Sequence, residues 1–479
     1  MNRAGLTFTV VGVALLCLLG APFATGMLTE NQLRQRMELL NQNPVFGAEV
    51  TAYDRGWLKS EARIELGVSP DYLAQLQNAG TVPGTDILDT RLGIIVEITH
   101  GPLAISDGVH FGAATVVARP DSDGAIVQFA EQTLGMPYLF EFRGRAGFGD
   151  SFDFDGDIPE IDYTGPEGKI EFTGLNVVGN AHGNVLNVDA NGDRLSYQSM
   201  FATGLVETIR IDTQYEMRGQ NVPLGTSELL IGRVFASSPM LGPEPLFEAS
   251  DLRATGDFTL NDDGEKVSMS ATYGAGSLVA GEEINVTNAA LGISINDVDA
   301  EAVQTYYQVI QESTRNQVAD PAVIMDQLTP LIEQVVAGAP SLAINPLQFT
   351  TPEGSLNGKG LIAIDPSQLP QGQAVDLQNM AVLAGIVTAT IDLTVAKPLA
   401  ERLAALSVRT QIAAQAAASG ETFSPEEIKA MAEAQSGFML IGLTGQGMLV
   451  DDGDNYTTAL EYADGAITVN GEPMPFGMF

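Results

Sequence analysis

From Ala48 to about Ile295 the chain is cut into short runs by turn-forming sequences: Asp123-Gly124, Pro166-Glu167-Gly168, Asn191-Gly192 and Asp263-Gly264. Asp-Gly and Asn-Gly supply the positive φ that tight hairpins need, so a stretch punctuated this way predicts antiparallel strands. Helical segments do not alternate with these strands, which argues against a doubly wound parallel sheet. Helices are predicted at the flanks. Thr29-Glu30-Asn31-Gln32 is a capping box opening a helix to about Asn43, with Leu33, Met37 and Leu40 at helical spacing. After Asn296, the acids Asp297, Asp299 and Glu301 occupy a predicted first turn, and Val303, Tyr306, Tyr307 and Ile310 form a stripe behind them. A second helix follows Asp320-Pro321, with Pro330 inside it as a kink or restart.

Strands resume near Leu347–Phe349, and Ile386–Val395 is the clearest of them. Val387, Ala389, Ile391, Leu393 and Val395 face one side; Thr388, Thr390, Asp392 and Thr394 face the other. The following helix, from Lys397-Pro398 to about Ala418 and ended by Gly420, offers Leu399, Leu403 and Leu406 to cover the apolar side, which is expected to be core. Ser424-Pro425-Glu426-Glu427 opens a last helix carrying Ile428, Met431 and Met439 toward Leu443. The small residues of Gly442–Gly447 are expected to permit close packing there. The chain closes with a hairpin, Tyr456–Tyr462 and Ala466–Val469, turned at Asp464-Gly465.

The fold class is therefore α+β, a large, mainly antiparallel sheet body over 27–479 with helices packed on it. The expected order is helix 27–45, strands 46–296, helices 297–338, strands 346–396, helices 397–446 and a terminal hairpin in 447–479. Tyr163–Gly168 echoes Phe349–Gly354, and Leu291–Ile295 runs into a helix as Leu393–Val395 does; two related halves would leave such traces.

Residues Ala4–Ala24 carry no charge and follow Met1-Asn2-Arg3. A run of this length crosses about 30 Å of hydrocarbon as a helix, and the positive start orients the rest outward. The expectation is a retained signal-anchor in the inner membrane, N-terminus cytoplasmic and the bulk periplasmic. The alternative is cleavage near Ala24-Thr25-Gly26, leaving a periplasmic form. Both readings export the remainder, and the only cysteine, Cys17, lies inside the run, so no disulfide framework exists.

The 479 residues hold 23 Lys+Arg against 60 Asp+Glu, a formal charge of −37. Such a polyanion repels a phosphate backbone, which excludes most nucleic-acid roles. The acids are dispersed and lysine is scarce, the pattern of a surface solvated for high salt. With 45% hydrophobic residues the chain has ample material for a core.

Catalytic signatures are missing: no G-x-S-x-G, phosphate loop, dinucleotide fingerprint or H-E-x-x-H occurs. The histidines, His100, His110 and His182, are scattered, and His100 in Thr99-His100-Gly101-Pro102 reads as a turn histidine bonded to backbone. Asp153-Phe154-Asp155-Gly156-Asp157 and Asp189-Ala190-Asn191-Gly192-Asp193 place oxygens at alternate positions. Neither has the glycine and glutamate of a calcium loop, so both read as hairpin turns.

Tyr53-Asp54-Arg55-Gly56-Trp57-Leu58-Lys59-Ser60, His100-Gly101-Pro102 and the terminal Tyr462-Ala463-Asp464-Gly465 follow one another along the chain. Together they resemble the YdgA-like family of uncharacterised bacterial envelope proteins, over nearly the whole chain. The resemblance implies an anchored or exported envelope protein and brings no activity and no catalytic residues. It makes Tyr53, Arg55, Gly56, Ser60, His100, Gly101 and Pro102 motif positions of unknown role. From the residues themselves, Gly56 reads as a bulge or close-approach glycine and Arg55 as a partner for a nearby acid. Trp57 is expected to pack the first strand on the Leu33/Met37 helix, the alternative being a membrane interface.

The leading expectation is a non-enzymatic envelope protein acting by binding; the alternative is a carrier or chaperone for a lipid or other apolar ligand. A pocket gathering His100 with two carboxylates would instead indicate a hydrolase. No cofactor is expected. The expected partners are the inner membrane through residues 4–24, a lipid in the carrier reading, and a second copy of the chain.

Overall fold

The computed structural model of the chain describes residues 46–68, 91–315, 334–368, 385–419 and 423–474, together with a few isolated positions that include Leu33, Arg34 and Met37. Short gaps fall at 102, 106–108, 125–126, 129, 136–137, 150, 167, 219–221, 243 and 282–283. The anchor run, most of the first helix and the whole of 316–327 lie outside the described residues. Among those described, no helix is long and apolar enough to cross a membrane.

The chain forms two units, residues 1–219 with 225–246, and residues 220–224 with 247–479. The first contains β1 (Phe46–Arg55), β2 (Lys59–Val68), β3 (Leu92–His100), β4 (Leu103–Ile105), β5 (Val109–Phe111), β6 (Ala114–Pro120) and β7 (Glu141–Ala146). It continues with β8 (Ser151–Ile158), β9 (Ile161–Gly165), β10 (Gly168–Phe172), β11 (Leu175–His182), β12 (Val185–Gln198), β13 (Thr203–Arg218) and β14 (Val222–Ser237). Antiparallel pairing runs β1–β2–β3–β6–β7–β8–β11–β12–β13, with β9–β10 joined to the far end of β12.

Strict alternation sends one side of this sheet inward. Ala62, Val96, Ala118, Phe142, Gly156, Val177 and Ala190 stand in register from β2 to β12, and the large ones are buried. Leu33 and Met37 join the same core. Two phenylalanines of β8 lie over glycines of the flanking strands. A Cβ on Gly144 would sit 2.3 Å from Phe152, and one on Gly179 would sit 2.2 Å from Phe154. Glycine is the side chain that leaves room for the ring.

The outward side corrects the reading of the acidic clusters. Asp153, Asp155 and Asp157 are not in a turn; they are the outer positions of β8, alternating with Phe152 and Phe154. Asp155 faces Arg143 at 3.6 Å and Arg145 at 3.9 Å, and Asp157 accepts a 2.5 Å hydrogen bond from Tyr138, whose phenol is pushed up to about 12 by it. Asn191-Gly192 likewise lies within β12, paired to Asn176 and Leu175. The structure uses the β8 carboxylates as cross-strand partners, because β7 carries the arginines, Arg143 and Arg145, that face Asp155.

The second unit contains β15 (Pro245–Leu260), β16 (Lys266–Ala280), β17 (Ile284–Asp299), helix α1 (Ala300–Arg315), β18 (Ser341–Thr351), β19 (Gly354–Ile364) and β20 (Val387–Ala396). Helices α2 (Lys397–Ser419) and α3 (Pro425–Gly445) follow, then β21 (Val450–Asp452), β22 (Asn455–Ala463), β23 (Ala466–Val469) and β24 (Glu472–Met474). Pairing is sequential and antiparallel, β15–β16–β17–β18–β19–β20–β22–β23–β24, with β21 also on β22.

Several element edges move. Asp297 and Asp299 belong to β17 and not to a helical first turn; Asp299 accepts from the Ala302 amide and caps α1 from outside. Tyr306 is exposed while Ala302 is buried, so the buried stripe of α1 is not the expected one; the side chains of Tyr307 and Ile310 and the Pro330 helix lie outside the described residues. Ser424 and Glu427 form the expected reciprocal capping box. A Cβ on Gly442 or Gly445 would meet open space, so these glycines do not mediate close packing; Gly447, at φ +73°, ends α3 instead. Asp464 and Gly465 both take positive φ and close the β22–β23 hairpin. The echoed segments are both hairpin turns, β9 to β10 and β18 to β19, each with a positive-φ glycine, Gly168 and Gly354, after it.

Candidate functional site

Among the described residues, the second unit repeats the amphipathic pattern of the first without its cover. On one side, Met269, Ile295, Leu342, Ile362, Ala389 and Tyr462 stand in register across β16, β17, β18, β19, β20 and β22. The next row is Ala271, Ile293, Ile344, Gly360, Ile391 and Leu460. The reverse side presents Ser270, Ser294, Ala343, Leu361, Thr390 and Glu461 in register, polar at both ends with Leu361 exposed in the middle. This side is the more polar of the two, and the apolar one is shaped like a core layer.

Large side chains of that apolar side are nevertheless open, from 36% exposed at Ile293 and Ile344 to 52% at Tyr273. Ile391 is 47% exposed, which corrects the expectation that α2 buries it. The helix covers only the end of the face: Val395 packs with Leu399, Ala400, Ala404 and Leu440, whereas Leu403 and Leu406 remain partly exposed. The reason is geometric. A helix that starts directly after Ala396, the last residue of β20, lies beside Val395, and Ile391 is four residues back along the strand. Six strands at roughly 4.8 Å spacing make the face about 24 Å wide, more than the ~15 Å depth of one bilayer leaflet. Contiguous exposed apolar surface of this kind marks an interaction site. An acyl chain laid across the strands fits it chemically, because no cation or carboxylate stands in either row.

The motif positions gather at one end of the first unit. Tyr53 and Arg55 lie opposite Ala62 and Ser60, and His100 follows Ile98, the partner of Ser60. Ser60 Oγ and His100 Nε2 are 2.8 Å apart, so His100 is held by a side chain as well as by backbone: its amide donates to the Leu58 carbonyl. A serine beside a histidine has the composition of a nucleophile and its base. Here Ser60 is buried, and among the described residues no carboxylate bonds to His100. Chemically the pair is a strut between β2 and β3.

Gly56 is the close-approach glycine: a Cβ there would meet the Lys59 carbonyl oxygen at 2.0 Å. Gly101 takes φ +117°, and Pro102 lies outside the described residues. Arg55 is exposed and makes no ion pair with a described acid, against expectation. Trp57 does not pack on the Leu33/Met37 helix; it is 90% exposed at the β1–β2 tip. His182 is exposed at the end of β11, and the His110 side chain lies outside the described residues. No cluster of metal-ligating residues occurs among those described.

A polar cavity in the first unit is lined by Lys169, Glu171, Arg194, Ser196 and Arg233. Lys169 is bonded to Glu171, and Arg233 faces Glu207 at 3.8 Å, so two of the cavity's three cations are already answered.

Ile293, Ile344 and Ile362 went unnoticed in the sequence. Ser294 beside Ile293 is a weak period-two signal, but Ala343 and Asn345 flank Ile344 and Leu361 and Ala363 flank Ile362, so composition marks neither a wet side nor the other side's cover there. The profile of a family described as a bacterial protein of unknown function (DUF945) matches residues 1–476. No curated protein and no solved structure matches the chain.

Proposed function

The chain belongs to this bacterial family, DUF945, and from that premise we propose that it is a non-enzymatic carrier or chaperone for a lipid acyl chain in the bacterial envelope. The observation that carries this reading is the half-open apolar face around Ile391, built in regular register and, among the described residues, left without a covering layer. The order of the Tyr53–Ser60, His100–Pro102 and Tyr462–Gly465 segments supports a finer placement among YdgA-like envelope proteins. The uncharged run 4–24 supports attachment to the inner membrane with the body on the periplasmic side.

An acyl ligand satisfies the chemistry of the face without demanding charge, and the anionic body disfavours nucleic acid and other polyanions. The test is solvent extraction of the purified full-length protein followed by mass spectrometry. Stoichiometric lipid, displaced by Ile391→Asp, is the expected result. A wild-type protein that is lipid-free and dimeric, with Ile391 shielded by a second copy, would replace the carrier reading.

A further inference from the structure

We infer that one edge of the first unit, carrying Trp57, Leu58, Phe111 and Phe148, docks into the headgroup layer of a lipid bilayer. The inference is independent of the acyl-chain face, which belongs to the other unit. In an antiparallel meander every second connection returns to the same edge. Register places the β1–β2 tip, the end of β3, the start of β6 and the β7–β8 turn along one edge, through the pairs Lys59–Thr99, His100–Ala114 and Ala146–Phe152. Trp57 is 90% exposed, Phe111 79% and Phe148 70%, and Leu58 is exposed beside Trp57.

The tip is held rigid from beneath. Gly56 admits the tight turn, the Leu58 carbonyl accepts from the His100 amide, and Ser60 is tied to His100. The motif positions therefore build a stiff mount that presents two apolar side chains outward.

Charge selects the occupant. Arg55 and Lys59 bracket Trp57-Leu58, and with Asp54 the stretch 54–59 keeps a net charge of +1 in a chain where acids outnumber bases 60 to 23. An aromatic side chain between two cations matches a membrane surface, where the ring sits at headgroup level and the cations meet lipid phosphates. The opposite edge exposes Met200, Phe201, Met240 and Leu241, but its turns, Ser199–Ala202 and Ser238–Gly242, contain no cation. That edge lacks the electrostatic half of the match.

Trp57 is the only tryptophan of the chain, so its fluorescence reports this edge alone. The full-length protein is reconstituted into phosphatidylethanolamine/phosphatidylglycerol vesicles, with and without brominated acyl chains, and probed with acrylamide, an uncharged quencher. The expected result is quenching of Trp57 by the brominated lipid and loss of acrylamide access. Both should revert in Phe111→Ser/Phe148→Ser and persist in Met240→Ser/Leu241→Ser. Unchanged acrylamide access in vesicles overturns the proposal, as does quenching that survives the Phe111/Phe148 change. Protection of Trp57 in protein kept soluble by an amphipathic polymer, without lipid, also overturns it, in favour of a second copy of the chain.

Discussion

Replacing Ile391 by aspartate separates an open face from a hidden core. Burying an isoleucine fully is worth about 1.5–3 kcal/mol, and Ile391 is 47% exposed, so roughly half of that, about 1 kcal/mol, is lost. Placing aspartate in a central strand adds up to about 1 kcal/mol. The new carboxylate reaches water, so the large penalty for a buried charge does not apply. A total near 2 kcal/mol leaves a typical domain, stable by about 5–15 kcal/mol, folded. Val395 on the same strand is the internal comparison. It is 7% exposed among Leu399, Ala400 and Leu440, and Val395→Asp traps a charge there, at a cost of several kcal/mol. Urea melts of both variants, alongside lipid analysis of the purified proteins, measure the contrast. Ile391→Asp should shift the midpoint modestly and lose the lipid, while Val395→Asp should unfold. Equal loss of stability in the two variants would refute the open face, and a folded Ile391→Asp protein with its lipid intact would refute the site.

Residues 4–24 should hold the mature protein in membranes through a carbonate wash, whereas a soluble product starting near Met27 would show cleavage. With −37 net charge, thermal stability should rise as NaCl increases from millimolar to molar, because the Debye length shrinks from tens of ångströms to about 3 Å; a flat response would remove the high-salt reading. Asp189 and Asp212 are directly opposed on β12 and β13, and desolvation, with the hydrogen bond and charge of Asp212, holds the Asp189 carboxyl above its usual range. A raised folded-state pKa gives stability that is present below the unfolded value and lost as pH rises through the folded one. Asp212→Asn should therefore raise the melting temperature at neutral pH, the relieved repulsion being screened by solvent to a few tenths of a kcal/mol, and give no gain in acid. Gly144→Ala drives a methyl into the Phe152 ring and should cost about 1–3 kcal/mol in a denaturant titration; a neutral result would mean the ring moves freely.

The alternation of Ile391 with Thr390 and Asp392, the Ser424 capping box and the Asp464-Gly465 turn were legible in the sequence, because each depends on neighbours within a few residues. Local geometry makes them, and composition reports local geometry. Asp153-Phe154-Asp155 is ambiguous in the sequence: acids at alternate positions fit a loop, while the phenylalanines between them are the period-two signature of β8. What the residues alone left undecided was cover. Val96 of the first unit and Ile362 of the second sit in equally apolar rows, yet Val96 is fully buried and Ile362 is 47% exposed. Trp57 and Leu399 are both large and apolar, and one stands free at a hairpin tip while the other is enclosed. A strand's own pattern determines which side is apolar. Whether that side meets a helix, another layer or an open face depends on where distant segments run, and that is a property of chain path and register across the sheet, settled only when the tertiary structure forms.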